Sequence, residues 1–167
     1  MKKNIEKVFL GLCILAIIFS TVFFFFFWKD KSEKLIEEFF QTCFSQSDEM
    51  ATLCNEYEKY STHIGEGVDY ERQKKSQKNI AKVEEDFEKI YGVYLSESGT
   101  DDFWNLLFPY IYQYYSENED YKISTIKIQK DNMYYDFLLI VDIGEEKQQI
   151  EGRVEISEDK IIKIILI

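Results

Sequence analysis

The spacing of apolar residues changes near Asn118, and this change divides the chain into two structural regions. Before that point apolar residues recur every three or four positions, as they do on one face of an α-helix. After it they recur at every second position, as they do on one face of a β-strand. The pattern therefore predicts helices over residues 31–118 and a sheet over residues 119–167.

Three helices are predicted before residue 92. The first starts at Lys31 and carries an apolar stripe that ends at Phe44. The second follows "SQSD" at 45–48, whose side chains suit a helix N-cap. The third is expected from about Gln77 to Tyr91, with Ile90 on its buried face. Residues 61–76 contain two glycines and little periodicity, so we expect a loop or an irregular helical connection there.

A further helical region carries many aromatic residues and a proline. It reads "FWNLLFPYIYQYYSEN", with Thr100 and Asp101 as N-cap candidates before it. Pro109 removes a backbone donor from the helix ladder. We therefore expect one bent helix or two short ones.

The last third of the chain has the pattern of four antiparallel strands. Residues from Tyr135 to Ile143 alternate between apolar and less apolar positions, and turn signals stand at "KDNM" and "GEEK". The alternation shifts phase between Ile123 and Ile126, which predicts a β-bulge. Helices followed by an antiparallel meander predict an α+β domain, with the helices packed on one face of a curved sheet.

The N-terminal region is apolar enough to form a transmembrane helix. Val8 to Trp28 contains no charged residue and would span roughly 31 Å as a helix, the thickness of a bilayer's hydrocarbon. It has no polar stripe, which argues against a soluble core helix, and it ends in bulky residues, which argues against signal-peptidase cleavage. We expect a basic tail at 1–7, an anchor at 8–28 and one soluble domain at 29–167, with Trp28, Lys29 and Lys31 at the membrane interface.

The positive-inside rule barely separates the two orientations of the anchor, because each side of it carries three lysines. The N-terminal amine adds positive charge on the inner side. A short tail before a large acidic domain is also typical of an uncleaved signal anchor. We therefore expect a single-pass protein of a bacterial membrane, with its C-terminal domain outside the cytoplasm.

The composition of the domain limits its partners. Beyond residue 28 the chain has 17 basic and 30 acidic residues, a net charge of −13. This charge repels the phosphate backbone, so we expect no nucleic-acid binding. Aromatic residues make up 17% of the chain, which supports a well-packed core.

The element order resembles that of the NTF2-like superfamily, in which helices close against a strongly curved sheet. The resemblance depends on helices before strands, on the aromatic helix "FWNLLFPYIYQYYSENEDY" and on the strand that ends the chain. It implies a cone-shaped domain over about residues 32–167. The superfamily contains enzymes, ligand binders and scaffolds, including membrane-anchored VirB8-like scaffolds, so the resemblance does not select a function.

Few residues are candidates for chemistry. His63 is the only histidine, and we expect it to be an exposed loop residue, with a His63–carboxylate pair in a cone pocket as the enzymatic alternative. The acidic clusters at 84–86, 101–102 and 117–120 lack EF-hand spacing, so we expect solvated helix faces and no metal. No catalytic residue and no cofactor are predicted.

Two other groups of residues are candidates for structural or binding roles. Cys43 and Cys54 lie on apolar faces of consecutive helices, which permits a disulfide outside the cytoplasm, although two buried free thiols are the alternative. Four tyrosines cannot all face one side of a helix, so they either form a contact surface or pack on the sheet. These are Tyr110, Tyr112, Tyr114 and Tyr115.

The sequence favours a non-catalytic binding or scaffold domain anchored in the bacterial cell envelope, and a part in a conjugation or secretion assembly is the most concrete version of this hypothesis. Its expected partner is another protein or a second copy of the chain. An immunity or superinfection-exclusion protein and an enzyme that uses His63 are the alternatives.

Overall fold

A computed structural model describes residues 30–65, 67–117 and 120–167. Helices come first and four strands follow, and the strands pair in the antiparallel order β1-β2-β3-β4. The predicted α+β class and the meander are both confirmed. Residues Ser32–Ile167 form one compact unit. Within the described ranges no helix combines the length and hydropathy needed to cross a bilayer, and the predicted anchor at 8–28 lies outside those ranges.

In the described ranges six helical segments precede the sheet. The last three run into one another without a break and form one bent helix, so the described segments amount to four helices, as predicted. The segments are α1 (Lys31–Cys43), α2 (Asp48–Ser61), α3 (Tyr70–Tyr91), α4 (Glu97–Asp102), a π-helical turn (Phe103–Leu107) and α5 (Phe108–Ser116).

The break between α1 and α2 lies where the sequence predicted it. The Ser47 hydroxyl accepts a hydrogen bond from the Met50 backbone N–H at 3.1 Å, which satisfies one of the free donors at the start of α2. The two helices bury the predicted apolar stripes, including Phe39, Phe40 and Leu53.

The start of α3 differs from the prediction. The helix begins at Tyr70, within the stretch expected to be a loop or an irregular connection. Asp69 causes the difference, because one of its carboxylate oxygens accepts hydrogen bonds from the backbone N–H groups of Glu71 and Arg72. The predicted burial of Ile90 is also wrong, since Tyr91 takes the inward position at the end of the helix.

The bent helix also begins earlier than predicted. Its N-cap is Ser96, whose hydroxyl accepts from the Gly99 N–H, rather than Thr100 or Asp101. The bend is a π-helical turn just before Pro109, in which the Phe108 N–H donates to the Phe103 carbonyl. The wider turn accommodates the missing proline donor, and π-helical turns of this kind are a common cause of helix bends.

The four strands are β1 (Tyr121–Asp131), β2 (Tyr134–Ile143), β3 (Glu146–Ser157) and β4 (Lys160–Leu166). The pairing of β1 with β2 shifts register between Ile123 and Thr125, which confirms the predicted bulge. Alternate residues of β2, such as Phe137 and Leu139, face the helices and are buried. The opposite face of the sheet carries mixed charges and half-buried apolar residues, including the ion pair of Arg153 with Asp136.

Residues 94–102 lie along the edge strand β4 and bond to its backbone. The Ile161 N–H donates to the Tyr94 carbonyl, and an oxygen of the Asp102 carboxylate accepts from the Ile164 N–H at 2.8 Å. These bonds occupy backbone groups of β4 that a strand from another chain would otherwise use. The other edge, β1, carries lysines, which oppose such pairing.

Candidate functional site

Helix α3 lies between two surface grooves that carry opposite charge. On one side its second half forms a groove with the bent helix, and on the other its first half forms a groove with the end of α2. We call the outward side of α3, together with these two grooves, the α3 face. On this face, charged side chains from separate elements converge on concave surfaces.

The acidic groove has a volume of about 360 Å³. Burial, and after it the charge of Asp101, raises the pKa of Glu84 above its ordinary value. Two carboxylates therefore repel each other across the groove, and a cationic group placed between them would relieve the repulsion. The groove is lined by Ala81, Glu84, Glu85, Glu88, Glu97, Thr100, Asp101, Trp104 and Asn105.

Trp104 forms an aromatic part of the wall of the acidic groove. It packs on the core side against Phe87 and Phe108, with ring centroids 5.1 and 4.3 Å away. Its indole Nε1 is buried and has no hydrogen-bond partner in the described part of the chain. Buried donors without a partner are uncommon in folded proteins. The described part of the domain therefore leaves one hydrogen-bond donor in this wall without an acceptor.

The basic groove contains the only histidine of the chain and has a volume of about 300 Å³. His63 is exposed, as expected, and its Nδ1 lies 3.0 Å from the Thr62 hydroxyl and 3.2 Å from the Lys59 carbonyl. The charged groups beside it are Lys59, Arg72 and Lys75. The described residues of this groove include no carboxylate, so the groove provides no support for a His63–carboxylate pair.

The structure brings together residues from two of the three acidic clusters that the sequence contains. Glu84, Glu85 and Asp101 line the same groove between α3 and the bent helix, whereas the Asp102 carboxylate bonds to β4. The cluster at 117–120 falls partly outside the described residues. Within the described ranges, no three side chains of the metal-binding types are arranged to hold an ion.

Cys43 and Cys54 are buried, and the structure contains them as free thiols. The possible disulfide between them is absent, and the alternative of two buried thiols describes the site. Burial raises the pKa of Cys54 to about 12 and raises that of Cys43 well above its ordinary value. Both groups therefore stay protonated at neutral pH and are poor nucleophiles.

The four tyrosines pack mainly within the domain. Tyr114 is only 1% exposed, and its hydroxyl donates to the Gln148 side-chain oxygen at 2.6 Å, so this residue follows the second of the two alternatives and packs on the sheet. Its ring packs inward against Tyr121, with centroids 5.3 Å apart. Tyr110, Tyr112 and Tyr115 are half-buried against the core.

The interface residues expected beside the membrane anchor fall near the start of the described chain. Trp28 and Lys29 lie outside the described residues. Lys31 is exposed at the first position of α1.

The two grooves are the feature that the sequence analysis did not identify. A signal for them is present in the order of charges along α3, where "RQKKSQK" precedes "EEDFE". The grooves themselves depend on which helices pack beside α3, and periodicity does not give that arrangement.

Comparisons of this chain with protein families, with curated proteins and with solved structures found no match. The fold and the α3 face therefore stand on the sequence and the geometry alone.

Proposed function

We propose that this protein is a non-catalytic binding or scaffold domain, held at a bacterial membrane by residues 8–28 and displayed outside the cytoplasm. The α3 face is its contact surface for a protein partner. An NTF2-like cone is the proposed shape of the domain, in keeping with helices that precede and cover an antiparallel sheet.

The observation that carries this proposal is the pair of oppositely charged grooves on either side of α3. Surface charge is usually spread so that both signs intermix. Here Glu84, Glu88 and Asp101 converge on one groove, and Arg72 and Lys75 on the other. Complementary charge steers a partner and fixes its orientation, which is the property that a scaffold needs.

The experiment that tests this function is site-specific photo-cross-linking of the full chain in its native membrane. A photoreactive residue at Asn105, an exposed wall residue of the acidic groove, should form a discrete adduct with one protein. The same residue at Gln129, on the outer side of β1, is the matched control and should form none. Equal, diffuse labelling from both positions would overturn the proposal.

The membrane orientation is tested by cysteine labelling in intact cells. His63→Cys in a background with Cys13→Ser places one exposed thiol on the domain, because Cys43 and Cys54 are buried. A membrane-impermeant maleimide should label it before lysis. Labelling that occurs only after lysis would place the domain on the cytoplasmic side.

A further inference from the structure

The charges of α3 run in an order that does not stabilise the helix itself. Lys74 and Lys75 lie in its first half, and Glu85 and Glu88 lie in its second. The partial charges of a helix favour acids near the N-terminus and bases near the C-terminus, by about 0.3–1 kcal/mol each. The charges that follow the favourable order are Glu71 in the first turn, and Lys82 and Lys89 in the second half.

The same order is self-complementary when two α3 helices run antiparallel. Lys74, Lys78, Ala81, Glu85 and Glu88 are spaced by three or four residues and form one exposed stripe. When two such stripes cross near Ala81 in opposite directions, Lys78 lies beside Glu85 of the second copy and Lys74 beside its Glu88. A two-fold axis repeats each contact, whereas a parallel arrangement would place like charges together.

The middle and the ends of the stripe also suit this arrangement. Ala81, at the crossing point, has a small side chain that lets two helix axes approach to about 8–10 Å. At the two ends of α3, Tyr70 is 72% exposed and Val93 is 68% exposed. The antiparallel order brings Tyr70 of one copy to Val93 of the other, which would cover both apolar side chains.

The ion pairs already present on α3 leave the stripe available. Lys89 Nζ lies 3.1 Å from Glu85 and 2.8 Å from Asp86, and these are the ion pairs of α3 in the described chain. They are exposed pairs within a single helix, which contribute little to stability. Glu85 can therefore exchange this contact for one with a second copy at small cost.

From these observations we propose that the α3 face binds a second copy of this chain, through an antiparallel pair of α3 helices centred on Ala81. The inference rests on the proposed function, because it names the partner of the same face. The acidic half of each α3 then meets the basic half of the other.

The first test uses the two-fold axis, where a residue meets its own copy. Ala81→Cys in the full chain with Cys13→Ser, in native membranes under mild oxidation, should form a disulfide-linked dimer. Gln129→Cys in the same background is the matched control and should stay monomeric. The inference is overturned if Ala81→Cys forms no dimer, or forms no more than the control.

The second test reverses the charges. Lys74→Glu with Lys78→Glu, or Glu85→Lys with Glu88→Lys, should each lower cross-linking at position 81 by about tenfold or more, because like charges then face each other. Co-expression of the two reversed chains should restore it. Unchanged circular dichroism spectra and melting temperatures establish that the variants are folded. If a double variant does not fold, the single variant Lys78→Glu is tested in its place. Cross-linking that is insensitive to the charges would refute the antiparallel arrangement.

The two proposals fail in distinguishable ways. If Asn105 captures a different protein while Ala81→Cys forms no dimer, the α3 face binds a partner and the second copy is excluded. If neither position forms a contact, the proposed function fails as well.

Discussion

The buried titratable residues show how single side chains respond to the core of this domain. Burial raises the pKa of Cys54 and Tyr91 to about 12 each, and the ordinary values are 9.0 and 10.0. Each group is held neutral in the folded chain and ionises more easily in the unfolded one. The stability that these groups contribute to the folded state is fully present below their unfolded-state pKa. It is lost as the pH rises toward their folded-state pKa.

Alkaline pH should therefore destabilise the domain. We expect the free energy of unfolding to fall from about pH 9 upward, by at most about 1.4 kcal/mol per pH unit for each buried thiol. Cys54→Ala should make this fall less steep, although its removed sulfur also lowers stability at neutral pH. Urea unfolding across the pH range from 9 to about 12 measures the slope.

Thr52→Ala is the control for this experiment, because Thr52 is exposed on the same helix. It should leave the slope as it is in the parent chain. A parent chain whose stability does not change over this range would show that the two thiols are not desolvated as described.

At the scale of secondary structure, capping residues decide where the helices begin. The apolar stripe of α3 is visible in the sequence, but it weakens before Gln77, and two glycines precede it. The helix nevertheless extends back to Tyr70, because Asp69 satisfies two of its first backbone donors. A local hydrogen bond thus determined a boundary that hydrophobic periodicity could not indicate.

Removing this cap should destabilise the first turns of α3. Asp69→Ala should lower the free energy of unfolding by about 1 kcal/mol, whereas Asp69→Asn, which keeps an acceptor oxygen, should cost only a fraction of that. Hydrogen exchange at Glu71 and Arg72 reports the change directly. Equal exchange rates in the two variants would show that the side-chain acceptor does not hold the helix start.

The edge of the sheet depends on a comparable long-range bond. Asp102→Ala leaves the Ile164 N–H without its acceptor in a partly buried position, so we expect a loss of about 1–3 kcal/mol. Asp101→Ala, a change of the exposed neighbour, is the matched control and should be close to neutral. The measurement is urea unfolding of the two variants, and an equal loss in both would contradict this role for Asp102.

The strand pattern was predictable for a physical reason. Side chains of a strand alternate strictly between its two faces, so a core-facing row such as Phe137, Leu139 and Val141 is visible in the sequence. The phase shift at Ile123 likewise marked the bulge. The site was not predictable in the same way, because its grooves depend on the packing of α3 beside α2 and the bent helix, which involves residues far apart in the chain.

At the level of the whole molecule, the compact unit Ser32–Ile167 carries one polarised face. The net charge of −13 beyond residue 28 repels other acidic surfaces. The basic half of α3 is therefore the part of this domain best suited to meet an acidic partner, including a second copy.

The accessibility of α3 in native membranes is the measurement that tests this account most directly. Single cysteines at Ala81 and Gln129, both exposed in the isolated domain, are labelled in the full chain with Cys13→Ser. We predict that position 81 reacts more slowly than position 129 at low salt, and that the two rates converge at roughly 1 M salt, where charge attraction is screened within about 3 Å. Equal rates at every salt concentration would contradict the claim that the α3 face is a contact surface.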